Sequence, residues 1–101
     1  MSIKLDFVPE TLSLSIKLTA TETKEIHGSF LEMLRRLAKK AKHVNLDLTD
    51  VERVDNTVLL VLEELRELSG ESTIILRTKK GSEAEVSMRA IFENRQPIFR
   101  H

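Results

Sequence analysis

Hydrophobic and polar residues alternate along the first 18 positions of the chain. The apolar positions of the first segment are Ile3, Leu5 and Phe7. Lys4 and Asp6 point to the other side of an extended chain, and this period of two predicts a strand. The alternation resumes after Pro9, with apolar side chains at the even positions of residues 12–18. An antiparallel hairpin is the simplest structure for this pattern.

Three later segments also have strand character. Val44, Leu46 and Leu48 alternate with polar residues, whereas residues 74–76 form a continuous apolar run, as expected of a strand nearer the centre of the sheet. Residues 97–99 begin with a proline, which an edge strand tolerates. The pattern therefore predicts five strands in all.

Three segments follow helical spacing instead. The first covers about residues 23–42 and ends in a cationic turn, which complements the helix dipole. The second covers about residues 57–69 and stops at Gly70, a residue suited to a left-handed cap. The third covers about residues 82–93, with Ser82 as N-cap and Glu85 at the spacing of a capping box. The predicted buried stripes are Ile26, Phe30, Met33, Leu34, Leu37 and Ala41 in the first helix and Val86, Ala90 and Ile91 in the third.

The elements follow the order ββαβαβαβ. A hairpin followed by alternating helices and strands predicts an α/β fold with a mixed sheet, antiparallel at its start and parallel in its βαβ portion. Since several strands keep one polar side, the helices should gather mainly on one face. All 101 residues fit one domain, residues 1–101.

Composition excludes several classes of protein. Hydrophobic residues make up 41% and charged residues 32%, which is typical of a globular chain. The 16 basic and 16 acidic residues balance, so neither nucleic acid nor an anionic membrane is an expected partner. Cysteine is absent, and no apolar run approaches the length of a spanning helix. We expect a cytoplasmic protein without membrane insertion.

The sequence offers no catalytic motif. The glycines are isolated at positions 28, 70 and 81, so no phosphate-cradling loop is present, and no GxSxG motif occurs. The three histidines lie far apart, and none has a second ligand at metal spacing. We therefore predict a protein that is not an enzyme and has no cofactor and no metal site.

Asp47, Asp50 and Asp55 lie within or after the third predicted strand. Carboxylates in that position can hold magnesium or accept a phosphoryl group, as in response-regulator receivers, but those need an acidic pair after the first strand, where this chain has only Asp6. The favoured interpretation is that Asp50 and Asp55 bond backbone amides in a turn and a cap. The basic run of residues 35–42 contains no aromatic residue for stacking on bases, which favours a solvated helix face.

Thr57 stands where a strand and a loop lead into an apolar helix. A hydroxyl at a helix N-terminus lies near unpaired amides and the positive end of the dipole, which accommodate a phosphate, and capping of the helix is the alternative role. Residues 58–62 are all apolar, so Leu60 or Val61 should remain near the surface. Exposed apolar groups rimmed by charge mark protein contacts, whereas burial under a neighbouring loop is the alternative.

The segment VNLDLTDVERVDNTVLLVLEEL, residues 44–65, resembles the centre of STAS domains, the fold of bacterial anti-sigma factor antagonists. In that pattern a strand leads through an acidic turn and two apolar loop positions, here Val51 and Val54, to Asp-Ser-Ser-Gly and a leucine-rich helix. The Asp-Ser-Ser positions are Asp55, Asn56 and Thr57. The chain departs from the family at Val58 and Leu60, where small residues are usual, and no counterpart of the family's C-terminal helix follows Arg100.

The resemblance implies a non-catalytic regulator of bacterial transcription that binds an anti-sigma factor kinase, or another regulatory protein, and is released when Thr57 is phosphorylated. The expected contact residues are Asp55, Asn56, Thr57, Val58, Leu60 and Val61. A STAS subunit of an ABC-type lipid transport system, which would dock the same helix without phosphorylation, is the alternative. A small-molecule or nucleotide binder is a third class that the sequence leaves open.

Overall fold

Five strands form a single mixed sheet in the computed structural model of this chain. The structure describes residues 2–19, 28–51, 53–54, 56–68, 70, 72–95 and 97–100, with the backbone alone at positions 2, 19, 28–30 and 57. The elements are β1 Ser2–Val8, β2 Ser13–Thr19, α1 Gly28–Lys40, β3 His43–Asp50, α2 Asn56–Leu68, β4 Thr73–Arg77, α3 Glu83–Ile91 and β5 Ile98–Arg100. This order is the predicted one, and the α/β class is confirmed. Across the described ranges, no helix has the length and apolar character that crossing a membrane requires.

The strands lie in the sheet in their chain order, β1-β2-β3-β4-β5. β1 is antiparallel to β2, and every other neighbouring pair is parallel. β3 is therefore the central strand, and β4, which the apolar run placed nearer the centre, lies between β3 and the edge strand β5. Ile75, in the middle of that run, is only half-buried because it faces the side of the sheet opposite the core.

One face of the sheet carries the hydrophobic core. The buried strand residues alternate along β2, β3 and β4, and they are Leu14, Ile16, Leu18, Val44, Leu46, Leu48, Ile74 and Leu76. Their registers coincide, with Leu14 opposite Val44 and Ile16 opposite Leu46, so they share one face. The described helices pack on that face, with α2 in contact with both α1 and α3. The other face carries mostly polar positions, as the alternation predicts.

Helix α1 buries most of the described part of the predicted stripe, including Ala41 just after its end, but not Met33. Leu34 and Ala38 are buried and Leu37 is half-buried, but Met33 is 44% exposed. Met33 was assigned to the stripe wrongly, because the row that runs from Leu34 to Ala38 sits on the sheet and Met33 lies on its flank. Ile26 and the side chain of Phe30 fall outside what the structure describes.

Helix α3 begins as predicted but buries the opposite face. The Ser82 hydroxyl accepts a hydrogen bond from the Glu85 N–H at 3.2 Å, which confirms Ser82 as N-cap. The predicted stripe is wrong at Val86 and Ala90, which are exposed, whereas Ile91 is half-buried against the core. Ala84 and Met88 are buried in their place. A helix of nine residues supports two competing apolar rows, and the small side chain of Ala84 is the one against the core.

Candidate functional site

The connection from β3 to α2 lies at the carboxyl edge of the parallel strands. Val51 is buried and its N–H donates to the Leu48 carbonyl at 3.1 Å, which turns the chain off the sheet. Val54 is half-buried against the core, and its N–H donates to Oε1 of Glu83 at 3.3 Å. The two valines thus anchor the connection at both ends before α2 begins at Asn56.

Two acidic residues of this region, Asp47 and Asp50, contact neighbouring side chains. Oδ1 of Asp47 accepts from the Thr49 N–H at 2.9 Å and from its hydroxyl at 2.7 Å. Asp50 forms an ion pair with Lys17 of β2 at 3.3 Å, and no hydrogen bond joins its carboxylate to an amide of the described turn residues. Asp55 lies outside the described residues. In the part of the chain that the structure describes, no three histidine, aspartate or glutamate side chains lie close enough together to hold a metal ion.

Helix α2 has a complete apolar row against the core. Its fully buried residues are Val58, Val61, Leu62 and Leu65. Leu59 is half-buried, and Leu60 is 42% exposed. The exposed Asn56 lies four residues before Leu60, which is one helical turn. One large aliphatic side chain is therefore presented to solvent one turn from the start of the helix.

Val58 and Val61 do not belong to that surface. Both were predicted to contact a partner, but each is 0% exposed. The cause is helical spacing: three residues separate them, so both fall on the row that faces the sheet, whereas Leu60 falls opposite it. The side chain of Val58 is accordingly accommodated in the core, and Leu60 carries the exposed apolar surface.

Thr57 is the second residue of α2. Its backbone thus lies in the first helical turn, where the N–H groups have no partner inside the helix. Asn56, the first residue, is exposed and accessible to a partner. The Thr57 side chain and the whole of Asp55 lie outside the description, so their predicted roles stay predictions.

A second loop lies beside this connection, between β4 and α3. A groove of about 540 Å³ separates the two loops and is lined by Thr49, Asp50, Val51, Lys79, Lys80, Gly81 and Ser82. Lys79 and Lys80 are both exposed. No sequence motif marks this lysine pair, because the two loops are distant segments of the chain. The predicted α/β fold does indicate that the two loops are neighbours, since connections at the carboxyl ends of parallel strands share one edge of the sheet.

Hydrogen bonds fix the shape of the lysine loop. The Ser82 N–H donates to the Lys79 carbonyl at 3.1 Å, and the Glu85 carboxylate accepts from the Gly81 N–H and the buried Thr78 hydroxyl, each at 3.4 Å. Gly81 has a φ of 77°, a conformation that favours glycine. The loop therefore presents its two cations from a held backbone.

The basic run of α1 is a solvated face with one specific contact. Nε of Arg35 donates to Oε2 of Glu64 at 3.2 Å and Nη2 donates to Oε1 at 2.8 Å, a bidentate pair between α1 and α2. The hydrogen bonds from Arg35 hold the pKa of Glu64 below its usual value, since they stabilise the charged carboxylate. Arg36, Lys39, Lys40 and Lys42 are exposed. The run orients α1 against α2 through Arg35.

A shallow depression of about 300 Å³ lies on the face of the sheet opposite the helices. It is lined by Lys4, Asp6, Ser15, Ile16, Lys17, Asn45, Leu46, Asp47, Ile75 and Arg77. Its charges are mixed, with three cations and two carboxylates, so it has no single-sign field that would select one ionic ligand. The apolar and accessible features of α2 lie on the other face.

No protein-family model matches the chain, and no curated protein matches it.

Proposed function

We propose that this chain is a non-catalytic regulatory domain, similar to a STAS anti-sigma factor antagonist, that binds an anti-sigma factor kinase through the start of α2. The observation that carries the proposal is Leu60, which is 42% exposed on a helix whose other nearby aliphatic residues are buried or half-buried. It stands one turn from the exposed Asn56. An apolar group in a polar surround is typical of the centre of a protein contact.

The position of Thr57 supports a phosphorylation switch at the same surface. The residues that resemble the STAS segment form a central strand, a short connection and a helix that begins at Asn56, so Thr57 stands in the first turn. The positive end of the helix dipole at that turn favours a phosphate. A phosphate adds about −1.5 to −2 charges at neutral pH, and inserting them into an apolar contact costs desolvation. Phosphorylation therefore releases the partner.

Charge at the neighbouring loop supports an anionic partner surface. Lys79 and Lys80 are exposed, and Arg53 is exposed on the β3–α2 connection. Asp50, the acidic residue of the groove, is paired with Lys17. The kinase, with its bound ATP, brings phosphates toward Thr57, and cations at this edge of the sheet favour that approach.

Binding is tested with a matched pair of substitutions, Leu60→Glu and Val86→Glu. Both replace an exposed aliphatic residue of a helix by the same side chain, but only Leu60 lies beside Thr57. Candidate anti-sigma factor kinases are titrated with each variant by calorimetry. We expect Leu60→Glu to weaken binding at least about tenfold, as loss of a contact residue does, and Val86→Glu to leave it unchanged. Equal affinities of the two variants would show that Leu60 does not contact the kinase.

The switch is tested by incubating the protein with the same kinases and ATP and mapping phosphate by mass spectrometry. We expect modification of Thr57, retention in Thr57→Ser and loss in Thr57→Ala. Phosphate on other residues, with none on Thr57, would disprove the switch but not the contact surface. Capture of a transport ATPase or permease without phosphorylation would instead favour the lipid-transport alternative.

A further inference from the structure

The outer edge of β1 is an unpaired strand edge. β1 lies at one end of the sheet and spans seven residues, whereas the opposite edge strand β5 has three. Among the described residues, no strand pairs with the outer side of β1. A regular edge of this length presents a row of free N–H and C=O groups, which is a template for another strand. No proline interrupts it before Pro9.

Apolar surface accompanies this edge on the helix side of the sheet. Ile3, Leu5 and Phe7 pack on the core but are only half-buried. α1 is the described helix nearest to β1, because the helices are in contact in the order α1, α2, α3 and α3 stacks Arg89 on Phe99 of β5, at the opposite edge of the sheet.

The exposed flank of α1 continues the same surface. At 100° per residue, Met33 and Leu37 lie on the flank opposite Arg35, which bonds α2. That flank therefore faces the β1 edge. Met33 is 44% exposed and Leu37 is half-buried, so the apolar strip of β1 extends onto the helix.

Two charges of β1 lack partners on the polar face. Lys4 stands directly opposite Lys17 of β2, a like-charge pair that is unfavourable in a sheet. Lys17 has its own carboxylate in Asp50, at 3.3 Å. Asp6 stands opposite Ser15. Within the described ranges, neither Lys4 nor Asp6 forms a salt bridge.

We propose that a second copy of this chain pairs its own β1 antiparallel with this edge, about a two-fold axis at Leu5. Residues whose numbers sum to ten then lie opposite each other. Lys4 faces the partner's Asp6 and Asp6 faces the partner's Lys4, which supplies the carboxylate that Lys4 lacks. Ile3 faces the partner's Phe7 on the apolar side, and the two sheets join into one of ten strands.

The charges select this register over its neighbours. A shift of two residues in one direction places Lys4 opposite the partner's Lys4, and a shift in the other places Asp6 opposite the partner's Asp6. A shift of one residue moves every apolar side chain to the polar face. A parallel in-register pair would also align Lys4 with Lys4. Of these arrangements, the antiparallel pair centred on Leu5 keeps the apolar side chains on one face and places Lys4 opposite Asp6 on the other.

A contact of one strand and one helix flank is at the small end of specific interfaces. We therefore expect a weak, concentration-dependent dimer. The pairing leaves the start of α2 uncovered, because α2 lies over the middle of the sheet between α1 and α3. The proposed dimer is thus independent of the proposed function.

Sedimentation equilibrium of the full chain over a wide range of concentration tests the dimer. We expect Lys4→Glu and Asp6→Lys each to raise the dimer dissociation constant about tenfold or more, because two attractive pairs become repulsive. Lys80→Glu is the control for net charge, since Lys80 is exposed on the β4–α3 loop, and it should not change the constant. Circular dichroism verifies that each variant is folded.

Complementation provides the decisive measurement. An equimolar mixture of Lys4→Glu and Asp6→Lys should form a heterodimer, since each like-charge pair becomes opposite in charge, and the doubly swapped Lys4→Asp/Asp6→Lys chain should dimerise like the original. A monomer at every concentration would overturn the proposal. A dimer that neither single reversal weakens, or a mixture that stays monomeric, would overturn it equally.

Discussion

Helices α2 and α3 each expose one large aliphatic residue, but for different reasons. α2 has more apolar residues than one buried row can take, so Leu60 is left outside after Val58, Val61 and their neighbours fill the core. α3 has few, and Val86 is 67% exposed because the row of Ala84 and Met88 faces the sheet instead. Exposure of an aliphatic residue alone therefore does not identify a contact. Leu60 is singled out by its place beside the first turn of α2.

The largest expected effect contrasts two neighbours on α2. Leu62→Ala should lower the free energy of unfolding by about 2 to 5 kcal/mol, since it leaves a cavity beneath a fully buried side chain. Leu60→Ala should change it by about 0.5 kcal/mol or less, because its surroundings are solvent. Urea unfolding followed by circular dichroism measures both. Similar losses would mean that Leu60 belongs to the core.

The next effect concerns the tie between the end of α2 and the turn after α3. Arg95 donates from Nη2 to the Arg66 carbonyl at 2.6 Å and from Nη1 to the Gly70 carbonyl at 3.0 Å. Arg95→Ala should cost about 2 kcal/mol, because charged hydrogen bonds at the helix end are lost. Arg100→Ala, at an exposed site on β5, is the matched control in the same unfolding assay. If the two variants unfold alike, the end of α2 does not depend on Arg95.

A smaller effect is expected at the start of α3. Ser82→Ala removes the acceptor of the Glu85 N–H and should cost about 1 kcal/mol. Ser82→Asp keeps an acceptor and should restore most of the loss, which distinguishes the cap from general packing. Thermal unfolding by calorimetry is the measurement. Equal losses in the two variants would argue against capping.

The smallest expected effect is a pH dependence of the free energy of unfolding, which arises from the contact of Arg35 on α1 with Glu64 on α2. Arg35 lowers the pKa of Glu64 in the folded chain. At a pH between the lowered and the ordinary glutamate pKa, the unfolded chain therefore binds more protons than the folded one. The resulting stability is complete above the ordinary glutamate pKa and is lost as the pH falls through the lowered one. Arg35→Gln should therefore lower the urea midpoint at pH 7 and converge with the original chain in acid. Arg36→Gln should not, and a constant offset of Arg35→Gln at every pH would contradict the linkage.

Much of the fold could be predicted because its signals are local. The alternation of Ile3, Leu5 and Phe7 specifies a strand, and Ser82 and Gly70 mark helix ends by their own chemistry. The site was predictable only in part: the connection from Val51 to Val54 is anchored as expected, whereas Val58 and Val61 are not on the surface. Lys79 and Lys80 carry no motif, and only their neighbouring position across the sheet edge associates them with α2.

The order of the elements, their approximate bounds and the apolar excess on α2 follow from periodicity and capping, so they could be predicted from the amino-acid pattern. Which side of each helix is buried depends on packing in the folded chain. Five consecutive apolar residues on α2 and two competing rows on α3 satisfy helical spacing in more than one rotation, and the rotation is chosen by packing on the sheet. That choice exposes Leu60 and Val86 and buries Val58 and Val61.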